Sequence, residues 1–250
     1  MIRTSRSTLF ALALALAPAG ALHAQELPDA ASLLKKYHQA INADAYAKVN
    51  ATHTSGDFSL PAQGLSATFN AWSARPSRSA VKIVIPGIGE MHMGFTDGRG
   101  WSVNSFEGAR LYDGAEQVQA ADDSHFDAAL RPAALVASMT TVEKTQLGGQ
   151  ECWKVKVVWK SGRETHDCYA VDSGLLVASM FRSESNAGSG DAVTLYADYR
   201  DFGGIRMPTR MTTQALGMEQ VITIRDVKFE VDDAALEPPP AIRTLLGGRP

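Results

Sequence analysis

The chain has 250 residues with 24 basic against 27 acidic side chains, two cysteines and 45% hydrophobic residues, the make-up of a folded protein with a sizeable core. Without its first 24 residues, 22 basic side chains face 27 acidic ones, a net charge of −5. That sign argues against nucleic acid and anionic lipid headgroups as electrostatic partners.

The first 24 residues read as a secretory signal. Arg3 and Arg6 precede a short apolar run from Leu9 to Ala17, and small residues around Ala21 and Ala24 offer a cleavage point before Gln25. The run is shorter than the ~20 residues a spanning helix needs, and Pro18 and Gly20 interrupt it. No cysteine near the cut could accept a lipid anchor, and no later segment is long and apolar enough to span a bilayer. The expectation is an exported protein with a signal over 1–24 and a single domain over 25–250.

Residues 28–42 predict a helix, with Asp29 as cap and Leu33, Leu34, Tyr37 and Ile41 as a core-facing stripe. From about residue 50 the period changes to two. Val81, Ile83 and Ile85 alternate with Lys82 and Val84; Met91, Met93 and Phe95 alternate with Glu90, His92 and Gly94. Thr96-Asp97-Gly98-Arg99-Gly100 then reads as a tight turn into Trp101. Residues 113–138 interrupt the strands. Asp113 with Glu116 and Ser124 with Asp127 have capping-box spacing, Phe126, Leu130 and Ala134 recur at helical spacing, and Pro132 breaks the segment into short helices.

Strands resume near 139. Trp153, Val155, Val157 and Trp159 share one face, opposite Cys152, Lys154 and Lys156, and Lys160-Ser161-Gly162 forms a hairpin loop. Further strands are expected at 175–184, 191–202, 205–214 and 218–229, with Ser185 to Gly190 as a loop; Glu237-Pro238-Pro239-Pro240 ends the sheet before the apolar tail Ile242 to Leu246. The sum is a mainly β domain with some helix and about eleven antiparallel strands, and such a sheet curls as its twist accumulates.

Its inward face is expected to carry Phe69, Ile83, Met91, Met93, Phe95, Trp101, Trp153, Val155, Val157 and Trp159. Aromatic and methionine side chains suit a cavity for a flexible apolar ligand. Alternation shows burial, not emptiness, so a filled core fits the same pattern.

Signs of catalysis are weak. His38, His53, His92, His125 and His166 are scattered without metal-ligand spacing, and alternation puts Asp167 on the opposite strand face from His166 and Cys168. No catalytic residue, metal or cofactor is assigned. The hairpin register sets Cys152 opposite Ala170 and leaves Cys168 on the diagonal, an awkward geometry for a bridge that a one-pair shift would repair. The bond is left open by the sequence, with stapling its only plausible role.

Arg75-Pro76 followed ten residues later by Pro86, with Asp97-Gly98-Arg99-Gly100-Trp101, Asp172-Ser173-Gly174-Leu175-Leu176-Val177 and Tyr199-Arg200-Asp201-Phe202-Gly203-Gly204-Ile205-Arg206-Met207-Pro208, resembles the LolA/LolB-like lipoprotein-sorting superfamily. The resemblance implies an unclosed antiparallel half-barrel, with an N-terminal helix and a helical lid over a concave apolar face that takes acyl chains. It favours a cavity over a filled core and sets Arg75, with Phe126 and Leu130 of the insert, at a lid contact; a surface arginine at a strand end is the alternative for Arg75. It further implies a periplasmic, monomeric, non-enzymatic carrier or sensor whose ligand is a lipid or an acylated protein. An envelope scaffold that binds a protein partner through a solidly packed sheet is the rival.

Overall fold

A computed structural model describes residues 26–185 and 188–247, so the expected signal, residues 1–24, lies outside the described residues. Helix α1 (Ala30–Ile41) begins where the Asp29 carboxylate accepts from the Ser32 amide at 3.1 Å, and it ends at Asn42, which turns left-handed at φ 58°. A single turn, α2 (Ala43–Tyr46), follows. Six strands then form a meander: β1 (Ala51–Leu60), β2 (Leu65–Ala74), β3 (Arg78–Ile85), β4 (Gly89–Thr96), β5 (Arg99–Asn104) and β6 (Gly108–Leu111).

The insert holds α3 (Gly114–Ser124) and a 3₁₀ turn at Ala128–Leu130. A second meander follows with β7 (Val136–Leu147), β8 (Gln150–Trp159), β9 (Glu164–Ala170), β10 (Leu176–Ser185) and β11 (Gly188–Ala197). A small hairpin, β12 (Arg200–Phe202) with β13 (Ile205–Met207), precedes β14 (Arg210–Ala215) and β15 (Met218–Lys228). A 3₁₀ turn at Asp233–Leu236 and α4 (Pro240–Leu245) close the described chain.

Thirteen strands make one antiparallel sheet in the order β6-β5-β4-β3-β2-β1-β15-β14-β11-β10-β9-β8-β7, with β12 and β13 apart from it. The two meanders meet only where β1 pairs with β15, and β6 and β7 are unjoined edges, so the barrel is unclosed. The sheet is strongly curled. Helix α3 has 11 residues, about 16 Å of length, yet it touches β4 and β5 on one side and β10 on the other. Strand β10 lies seven places along the sheet from β4, which would be about 33 Å in a flat sheet.

Several local expectations shift. The strand expected over 191–202 breaks at Asp198, which takes φ 55°, and the chain leaves the sheet as the β12–β13 hairpin. That hairpin reaches α1, where Asn42 Nδ2 donates to the Gly204 carbonyl at 2.7 Å. The loop expected over 185–190 is mostly strand, because Ser183, Glu184 and Ser185 pair with Gly190, Ser189 and Gly188. Asp113 stands at the α3 N-cap position without a side-chain capping bond, and Glu116 instead takes two hydrogen bonds of 2.7 Å from Arg110. Ser124 ends a helix where its spacing suggested a start.

Cys152 and Cys168 are disulfide-bonded, with Cα atoms 5.5 Å apart. The register is the expected one, Cys152 opposite Ala170 and Lys154 opposite Cys168, so the bridge crosses the diagonal. Strand twist brings one diagonal of a pair close, here within the disulfide range of about 4.4–6.8 Å. The face around the bridge is apolar and buried, with Ala170, Val177 and Ala178 packed beside it.

The turn at Asp97-Gly98, both residues at positive φ, pairs Gly94 with Trp101 and Phe95 with Gly100. Trp101 therefore lies on the face opposite Phe95, Met93 and Met91, a correction to the expected inward set. Its indole fills the space above Gly94, where an added Cβ would stand 2.3 Å from the Ser79 carbonyl oxygen and 2.5 Å from the Trp101 ring. Gly94→Ala is expected to lower stability by about 1–3 kcal/mol, read as a reduced melting temperature.

Candidate functional site

Partners in an antiparallel register share a face. The series Tyr196, Met211, Ile222, Phe58 and Ala67 carries one face from β11 across to β2. Phe69, Ile83 and Met91 continue it through β4, with Val81 beside Met93. Toward the other edge the same face runs through Thr194, Ser179, Asp167 and Val155. This is the inner face, because α1 and α3 both lie on it.

The two halves of the inner face differ. Over β7–β9, α1 buries Leu33, Tyr37 and Ile41 against Val155, Val157, Trp159 and Tyr169, with half-buried Trp153 at the margin. The Tyr37 and Tyr169 rings meet at 5.4 Å. Lys36 Nζ fixes the helix further by donating to the carbonyls of Val171 and Asp172 at 2.7 and 2.9 Å. That half is a packed core made by the chain itself.

Over β1–β4 the partners of the inner face are strands. Phe58, Ala67, Phe69 and Ile83 are buried, and half-buried Val81, Ile85 and Met91 pack against them. Met93 is half-buried and Phe95 buried on the same face. The result is an apolar wall of aromatic, branched and thioether side chains whose cluster includes no helical residue.

The insert bridges the two halves. Gln117 Oε1 accepts from the Gly100 amide at 2.9 Å on β5, and Gln119 Oε1 accepts from the Glu184 amide at 3.1 Å on β10. Arg163 pairs with Asp122 and Asp123 of α3. Arg75 donates to the Val49 carbonyl at 2.7 Å, pairs with Asp127 and lies over the Phe126 ring at 4.7 Å. Phe126 is buried and stacks on Tyr46, whose hydroxyl donates to the Phe126 carbonyl at 2.8 Å. Burial, and then the Asp127 charge, push the Tyr46 pKa up to about 12. Leu130 packs on the α1 core, and its carbonyl lies 2.9 Å from His38 Nε2. Arg75, Phe126 and Leu130 thus all belong to the seam between insert and body.

Sequence reasoning missed Asp167, which is fully buried on the inner face. Its Oδ1 accepts from Arg131 Nη2 at 2.9 Å and Ser179 Oγ at 2.8 Å; its Oδ2 accepts from Arg131 Nε at 2.7 Å and Tyr169 OH at 3.1 Å. Four donors occupy the carboxylate, so it has no lone pair free to take a proton from a substrate. Burial opposes the Arg131 charge, but the charge and hydrogen bonds of Asp167 outweigh it and hold the guanidinium above its ordinary pKa. The available signal was an acid in the inward run Thr165, Asp167, Tyr169, since a buried acid requires a partner. The partner lies in the insert, 36 residues away, and no spacing rule connects them.

Beside this pair lies a cavity of about 300 Å³ between the insert and strands β8–β11, with Ser179, Thr194 and Tyr196 in its lining and Trp159 at its border. Among the described residues, no three His, Cys, Asp or Glu side chains are grouped to hold a metal ion, and no helix is long and apolar enough to cross a membrane.

An unclosed antiparallel half-barrel, with one helix packed inside and a helical insert latched across its two halves, defines a LolA-type fold. Three solved structures share it. A LolA superfamily protein from Nitrosomonas europaea is similar at a TM-score of 0.55 and 13% identity, covering 84% of this chain and 98% of that one. A DUF1329 family protein from Desulfovibrio piger is similar at 0.54 and 13%, covering 82% and 97%. A putative outer membrane lipoprotein-sorting protein domain from Vibrio parahaemolyticus is similar at 0.51 and 8%, covering 81% and 95%. No family model and no curated protein matches the chain. At these identities the likeness establishes the fold, the one that the Arg75-Pro76 segment and the order of elements suggested.

Proposed function

We propose that the protein is a periplasmic, non-enzymatic binder or carrier of lipid or lipoprotein acyl chains, acting as a monomeric single domain after removal of a signal over 1–24. The observation that carries this reading is the apolar wall of β1–β4, which has no helix in its cluster while the other half of the same face is filled by α1. The contact set is Phe69, Ile83, Met91, Met93 and Phe95, with the seam of Arg75, Phe126 and Leu130 as the part that opens. The sorting role in the name of the Vibrio neighbour supports the same ligand class. Burial of a tail supplies about 0.8 kcal/mol per methylene, so each added methylene is expected to tighten binding about fourfold until the wall is covered.

The test is titration of the purified protein with a fluorescent fatty acid series, alongside native mass spectrometry of protein taken from its own envelope. Met93→Glu places a carboxylate on the wall at a half-buried position and is expected to weaken the probe at least tenfold with the melting temperature little changed. Affinity independent of tail length, with no lipid carried through purification, would overturn the reading.

The rival, an envelope scaffold or sensor with a protein partner, draws on the core under α1 and on two exposed hairpin tips. Phe106 is 79% exposed in the β5–β6 turn and Ile88 50% exposed in the β3–β4 turn next to it. Capture of one partner that Phe106→Ser abolishes, together with a wall that takes no probe, would select it.

A further inference from the structure

The opposite face of β2–β5 carries a second cavity. Trp72, Ala80, Gly94 and Trp101 are successive partners across these strands, so two small residues lie between two indoles. The neighbouring row holds Lys82 and His92. The C-terminal segment crosses above, anchored by Leu236 and Ile242, which are buried beside Ala80 and Trp101. Arg78 ties it down from β3 through Asp233 at 3.1 Å and Glu237 at 3.7 Å. Between those anchors, Pro238-Pro239-Pro240 borders a space of about 500 Å³, within the roughly 300–1,000 Å³ of small-molecule sites.

The walls are rigid and their chemistry is specific. Trp72 is backed by the His53 ring, stacked at 4.9 Å and 14°, and His53 Nε2 is in turn fixed to Asn70 Oδ1 at 3.0 Å. Lys82 is matched by Glu90 at 2.8 Å. Arg243 lines the cavity, donates to the Pro238 carbonyl at 3.1 Å and has no acid partner among the described residues. His92 Nε2 is buried without a hydrogen-bond partner, at 3.8 Å from the nearest Glu90 oxygen. Burial, and then the Lys82 charge, lower the His92 pKa, so the ring is neutral at pH 7. One unmatched cation and one unsatisfied imidazole nitrogen thus stand beside the Trp72 indole, with Trp101 buried beneath the C-terminal segment.

We propose that this cavity is a second ligand site, separate from the inner wall, for a small apolar monocarboxylate. Its ring or short chain lies against the half-buried Trp72 indole under Pro238-Pro239-Pro240, and its carboxylate accepts from Arg243 with His92 Nε2 as the second polar contact.

The probe is 2-naphthoate, with 2-naphthamide as its uncharged counterpart, each titrated by calorimetry into the full mature protein. The expected result is one site that prefers naphthoate about tenfold, the increment of a charge-assisted hydrogen bond. Arg243→Gln, at an exposed position that leaves the fold intact, removes that preference, and His92→Phe weakens naphthoate severalfold. Met93→Glu on the inner wall leaves naphthoate binding unchanged. Equal affinity for the two probes, no binding, indifference to Arg243→Gln or loss of binding in Met93→Glu each overturns the proposal. Any binding of the probe to the inner wall is removed by Met93→Glu and spared by Arg243→Gln, so the two readings fail separately.

Discussion

Asp167→Ala is expected to destabilise the protein by about 3–5 kcal/mol, because it leaves the Arg131 guanidinium inside the structure without its counter-charge. The side chains of this pair are 11% and 0% exposed, so water reaches the arginine only from the neighbouring cavity and replaces little of the lost carboxylate. Tyr169 and Ser179 lose their acceptor in the same change. Urea unfolding should show a lower midpoint with an unchanged slope. Arg131 also caps the 3₁₀ turn of the insert at φ 50° and donates to the Ala128 carbonyl at 2.5 Å, so the variant should expose residues 113–135 to protease before the sheet yields. Removing both charges with Arg131→Met and Asp167→Leu should recover more than half of the loss. A single variant within 1 kcal/mol of the parent would show that the pair contributes little.

The second large effect concerns the bridge from β8 to β9. Replacing both Cys152 and Cys168 by alanine is expected to lower stability by about 2–3 kcal/mol, near the chain-entropy value for a loop closed over 16 residues. The loss falls short of a longer loop's because the hairpin turn at Lys160-Ser161-Gly162 already holds these strands together. A reductant should lower the melting temperature of the parent and leave that of the double variant unchanged. Equal melting of parent and variant without reductant would contradict the assignment.

The fold was largely legible because its signals are local. Period-two alternation in 81–85 and 153–159, the Asp97-Gly98 turn and the Asp29 cap each act over a few residues, and each appears as an element of the structure. The inner wall was legible up to Trp101, which a two-residue turn sends to the other face. What stayed hidden depends on distant pairing. Nothing in 153–159 tells a strand covered by α1 from one facing open space, since both need the same apolar residues. The Arg131–Asp167 pair joins the insert to β9, and the outer cavity needs the C-terminal segment laid over Ala80 and Gly94. Those are tertiary facts.

The pairing of β1 with β15 has a consequence for the order of assembly. Every other neighbour in the large sheet, apart from the short excursion between β11 and β14, is a hairpin that can form as soon as its two adjacent strands are free to pair. The β1–β15 ladder joins His53 to Lys228 and must close a loop of most of the chain, the slowest kind of contact to form. Until Met218–Lys228 is made, the inner face exists only as two half-sheets with unpaired edges. A partly folded chain therefore has no complete apolar wall, and slowing this one closure, for instance with Ile224→Gly, should delay refolding as a whole without delaying either half.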